Sequence, residues 1–106
     1  MVATMTKHAR VDRQARIDYI IDTVGIGEII AGAVGTNNGH ANYECLTNTG
    51  VLLIFSLDRK TLITAYIPNT QKAVAVYLQA TQRKKMPDGL YNRVKANQTY
   101  AKKQPH

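Results

Sequence analysis

The sequence predicts an α+β domain: two N-terminal helices, a three-stranded antiparallel meander, one following helix and a basic C-terminal tail. Three observations carry this reading. Apolar residues recur at helical spacing before residue 25 and again after residue 69. Apolar runs separated by turn residues fill positions 41 to 68. Positive charge, nearly balanced elsewhere, gathers after residue 82.

The first helix runs from Thr6 to about Val24. It holds no proline, Thr6 supplies an N-cap and Gly25 stands where a C-cap belongs. At about 100° per residue, Ala9, Ile17, Ile20, Ile21 and Val24 share one arc. Arg13 falls inside that arc and Arg16 at its edge, where an arginine snorkels, pairs with Asp12, Asp18 or Glu28, or waits for a ligand. "GIGEIIAGAVG" (25–35) reads as a short second helix over Glu28 to Val34, closed by Gly35. It is not a dinucleotide loop, because the third glycine of that pattern would fall at Ile30, and no Gly-Lys-Ser/Thr follows. "TNNGH" (36–40) is loop by composition.

The three strands are "ANYECLT" (41–47), "VLLIFSL" (51–57) and "LITAYIP" (62–68). "NTG" (48–50) turns the first into the second, "DRKT" (58–61) the second into the third, and Pro68 ends the run. The middle strand is apolar on both faces and therefore central. Alternation places Ile63, Ala65 and Ile67 toward the helices and Leu62, Thr64 and Tyr66 on the opposite face. Asn69 or Thr70 caps a helix over 69–82 in which Ala73, Val76, Tyr77 and Ala80 recur at helical spacing. "MPDG" (86–89) breaks it, and "LYNRVKANQTYA" after it permits a further amphipathic helix.

A chain of 106 residues, 44% of them hydrophobic, builds one modest core. The expected division is a single α+β domain over 1–82 and a basic extension over 83–106, either helical or partly disordered. The apolar stretch Val51 to Phe55, like every other in the chain, is far too short to span a membrane. The charged N-terminus lacks the apolar segment of a secretory signal, and Cys45 has no partner for a disulfide, so a cytoplasmic setting is expected. Of the net charge of +7, residues 83–106 hold +6, as Arg83, Lys84, Lys85, Arg93, Lys95, Lys102 and Lys103 against Asp88. Such a segment attracts polyanions through counterion release, or else it serves solubility alone.

The side-chain inventory excludes most chemistries. Neither zinc-protease nor zinc-finger spacing occurs, so no metal or cofactor is expected. Ser56 is the only serine and sits in no nucleophile elbow, and Cys45 reads as a buried filler. Metal-free RNA cleavage stays feasible. It needs an imidazole to move a proton and cations and hydroxyls to hold phosphate charge. His8, with Arg13 or Arg16, and Thr64 and Tyr66 form such a set if the first helix packs beside the third strand. Each has an ordinary explanation too: a solvated histidine, salt-bridged arginines, and strand-favouring threonine and tyrosine.

"KHARVDR" at the start, with "DRKTLITAYIP" closing the meander, resembles small prophage and toxin-associated domains of the barnase–EndoU–colicin–RelE group of metal-independent ribonucleases. The resemblance spans roughly residues 6 to 80. It implies a histidine or basic group on the first helix, here His8 and Arg13, and hydroxyl or aromatic groups on a later strand, here Thr64 and Tyr66. Such a start spaces its histidine and arginine four apart, where this chain has Asp12. On a regular helix His8 and Arg13 diverge by about 140°, whereas Arg16 lies about 80° from His8 and is the better partner.

The expected function is thus a small nucleic-acid-interacting protein, with RNA favoured over DNA and catalysis left open. The catalytic candidates are His8, Arg16, Thr64 and Tyr66. Arg13 and the seven cations of the tail are the candidate contacts to phosphate, with Tyr91 and Tyr100 available to stack on unpaired bases. The alternative is a phage-encoded inhibitor whose basic tail occupies an acidic surface of a host complex. A homodimer joined through the third strand or the glycine-rich second helix is a further expectation.

Overall fold

The computed structural model describes residues 7–37 and 39–105, and the side chains of 13–36 and 39–105. Its elements are α1 (Lys7–Thr23), β1 (Ile29–Asn37), β2 (His40–Thr47), β3 (Leu52–Phe55), β4 (Leu62–Tyr66), α2 (Thr70–Thr81), α3 (Asp88–Ala96) and α4 (Gln98–Ala101). The four strands form one antiparallel sheet in the order β1-β2-β3-β4.

The class is α+β, but the expected architecture is overturned, and three helices follow the sheet where one was expected. The expected second helix is β1, and the meander has four strands instead of three. The physical reason lies in residues 29–40. Ile29, Ile30 and Val34 are β-branched, and two interior glycines cost a helix about 1 kcal/mol each. On β1, Gly32 and Gly35 instead leave room for the Tyr43 ring and the Glu44 carboxylate of the neighbouring strand, which a methyl group would strike. Gly39, with φ +79°, precedes His40, which pairs with Asn37 at the end of the hairpin, and glycine takes that positive φ without strain.

Helices cover both faces of the sheet, not one. On the first face Ala31, Leu46, Leu52 and Ile54 pack with Ala73, Val76 and Tyr77 of α2, and with Met86 and Val94. On the second, Ile20 of α1 packs with Cys45, Val51, Leu53, Ala65 and Ile67. Ile20 is fully buried and contributes about 2–3 kcal/mol. Asn69 caps α2 by accepting from the Lys72 amide at 2.7 Å.

Residues 83–105 belong to the packed body. Val94 is fully buried, Asn97 donates through Nδ2 to the Thr49 carbonyl at 2.8 Å, and Gln98 donates to the Pro68 carbonyl at 3.0 Å. The Gln104 amide bridges the backbone of Ile67, accepting from its N–H at 2.9 Å and donating to its carbonyl at 3.0 Å.

The Thr47 amide donates to the Val51 carbonyl at 2.9 Å, which sets the phase of the whole ladder. Odd-numbered residues of β2 bond to β3 and even-numbered ones to β1. The outward backbone groups of β4 therefore belong to Ile63, Ala65 and the following Ile67. Those of β1 belong to Gly32, Val34 and Thr36.

Candidate nucleic-acid interface

α1 lies along β4, as the catalytic reading requires. Arg13 Nη1 donates to the Ile63 carbonyl at 3.0 Å and Arg16 Nε to the Ala65 carbonyl at 2.8 Å. Arg16 Nη2 also donates to the Thr64 hydroxyl. Both arginines thus close the outward edge of β4, satisfying carbonyls that another chain could otherwise pair with. Arg16 makes no ion pair with Asp18 or Glu28. Burial, and then the charge of Arg13, lower its pKa, with Tyr66 opposing. It remains a cation at neutral pH.

Tyr66 is half-buried on β4. Burial first, and then the Glu44 carboxylate, push its phenol up to about 12 against the opposing pull of Arg16. Its hydroxyl therefore stays protonated at neutral pH and can donate but not act as a base. Of the expected catalytic set, the structure joins Arg16 to Thr64 and sets Tyr66 within their electrostatic reach. His8 lies on α1, and its side chain is outside the described residues.

Sequence reasoning missed Glu44 and Lys72. The Glu44 carboxylate is buried on β2, and Lys72 Nζ approaches its two oxygens at 3.1 and 2.9 Å. The available signal was Glu44 itself, an acid on a strand whose neighbours are apolar, with Lys72 the lone charge of α2. Among the described residues no three histidine, cysteine or carboxylate groups converge to hold a metal ion. No described helix is long and apolar enough to cross a membrane.

The expected phosphate contacts Arg83, Lys84, Lys85, Arg93, Lys95, Lys102 and Lys103 are all exposed. Lys85 pairs with Asp88 at 3.1 Å in full solvent. The other six make no ion pair among the described residues. Arg13 differs from them, since its guanidinium is partly buried on the β4 edge.

Lys84 and Lys85 flank a groove between α2 and α3. Two adjoining hollows of about 390 and 340 Å³ share Val74 and Tyr91 in their walls. Thr70 and Gln71 line one end, while Leu78, Met86, Lys84 and Lys85 line the other. Tyr91 is 39% exposed, and Lys95 follows it by one turn of α3. An apolar floor, an accessible aromatic ring and cations at the rim suit an unpaired nucleotide, whose base stacks while its phosphate stays in solvent. Tyr100 lies away from this groove. Its carbonyl accepts from the Tyr19 hydroxyl at 2.8 Å, and its own ring is 41% exposed. Compared with protein-family models, with curated proteins and with solved structures, the chain has no significant match.

Proposed function

We propose that the protein binds single-stranded nucleic acid, RNA before DNA, through its basic C-terminal segment and the groove between α2 and α3. One observation carries this reading: on the docked C-terminal segment six exposed cations have no acidic partner among the described residues, and one of them, Lys84, lines the groove that holds the accessible ring of Tyr91. Because Val94, Asn97 and Gln104 hold that segment to the core, its cations are positioned before any ligand arrives. Preordered charge binds with less conformational cost than a disordered tail would. The preference for RNA rests on the resemblance of the first helix and β4 to metal-independent ribonucleases.

Cleavage by His8, Arg16, Thr64 and Tyr66 draws less support. Arg16 spends Nε and Nη2 on Ala65 and Thr64, and the phenol of Tyr66 holds its proton. Fluorescence anisotropy with a labelled single-stranded RNA tests the binding reading. Tyr91→Ala should weaken binding by about 1–3 kcal/mol through loss of base stacking. Arg83→Ala with Lys84→Ala should weaken it further and reduce its salt dependence. Unchanged affinity in both variants contradicts the proposal.

A further inference from the structure

We infer that the free edge of β1 is where two copies of this chain join, strand against strand across a two-fold axis. The two edges of the sheet are treated very differently. At β4 the outward carbonyls of Ile63 and Ala65 take arginine donors, and the amide and carbonyl of Ile67 are both held by Gln104. At β1 the outward groups of Gly32, Val34 and Thr36 receive one side-chain bond among the described residues, from Gln79 Nε2 to the Val34 carbonyl at 3.3 Å. Unprotected edges invite strand pairing, and charge or proline is the usual defence. Residues 29–37, "IIAGAVGTN", contain neither.

The occupant follows from charge. In a protein of net charge +7, most surfaces repel their own copies. The flank formed by β1 and α2 is neutral: β1 holds no ionisable residue, and the α2 side chain that reaches it is Gln79. The nearest cations are already engaged, Lys72 with Glu44 and Arg59 over the Tyr43 ring at 4.0 Å. Val34 and Ile30 also leave 53% and 44% of their surface in water along this strand. A strand pairs antiparallel with itself under a two-fold rotation, so one patch serves both partners.

The bulge at Ile30 confines regular pairing to residues beyond it. With Val34 opposite Val34 of the second copy, Gly32 meets Thr36 and about six backbone hydrogen bonds form. The single Gln79 bond gives way to them, and the result is one continuous eight-stranded sheet. This contact is independent of the nucleic-acid reading, because the α2–α3 groove and the basic helices remain open.

Light scattering of the full chain across a concentration series tests it. The expected mass at high concentration is twice 11.8 kDa. Val34→Lys should return the mass to that of one chain with an unchanged circular dichroism spectrum, because two ammonium groups would meet at the axis. Val34→Cys should form a disulfide-linked dimer on mild oxidation, since facing hydrogen-bonded strand residues have a Cα separation of about 5.5 Å. The wild type should form none, its sole cysteine, Cys45, being buried. A single-chain mass at every concentration overturns the inference. So does a dimer that survives Val34→Lys and that Val34→Cys does not cross-link.

Discussion

Glu44 keeps only 4% of its surface in water, and Lys72 reaches over to its carboxylate from the first turn of α2. Removing that partner leaves a buried carboxylate with nothing to offset its lost hydration. Lys72→Ala should therefore destabilise the fold by about 2 kcal/mol in urea titration, while Lys72→Ala with Glu44→Gln should cost less than Lys72→Ala alone. Tyr66 makes a second prediction through pH. Its phenol ionises near 12 in the folded chain against 10.0 ordinarily. The folded state therefore holds its proton more tightly than the unfolded state. The stabilisation is complete below pH 10 and is lost as pH rises from 10 towards 12. Equilibrium unfolding across that range should show a smaller decline in Tyr66→Phe. An identical decline in the two proteins contradicts the assignment. At this scale the sequence was partly legible. Arg16 beside Thr64 was expected only on the condition that the first helix lies along β4, whereas the Glu44–Lys72 pair spans 28 positions and depends on how α2 lies across the sheet.

At the scale of elements, α1, α2 and the strands β2 to β4 were readable from period and turn residues, with small shifts at their ends. β1 was not. "IIAGAVG" is apolar and small at nearly every position, so it matches both a short helix and a strand buried on one side. The hairpin tip decides between them. Asn38-Gly39 is a two-residue turn signal, and reading it as loop composition hid the first strand. The C-terminal segment was legible in charge but not in packing. Met86 and Val94 sit in the same core cluster as Leu46 and Leu52. Truncation after Gln82 should therefore lower stability by several kcal/mol, since about 2–5 kcal/mol attends the loss of each large buried apolar group. Thermal unfolding checks this, and an unchanged midpoint contradicts it. Gly50→Ala tests the same docking more gently. Gly50 has φ +86°, and an added methyl would meet Val94 and Asn97 of the docked segment. The variant should lose about 1–3 kcal/mol from strain and displaced packing.

The whole molecule is a sheet between two helical layers, with one edge closed by arginine and glutamine side chains and the other left neutral. Its positive charge gathers in the C-terminal segment, and β1 carries none. This separation lets one chain pair with a copy of itself and still present a cationic surface. With Arg16 committed to β4, incubation with labelled RNA in a chelator should leave the RNA intact. Metal-free cleavage that His8→Ala abolishes would restore the catalytic reading. The central claim concerns binding, and a salt series measures it most directly. Anisotropy titrations of a labelled single-stranded RNA at rising salt should give a straight line of log affinity against log salt, with a slope of about −0.7 per phosphate neutralised. Six available cations predict a steep slope, made shallower when Arg83 and Lys84 are replaced by alanine. Binding that is absent at low salt, or indifferent to salt, contradicts the account.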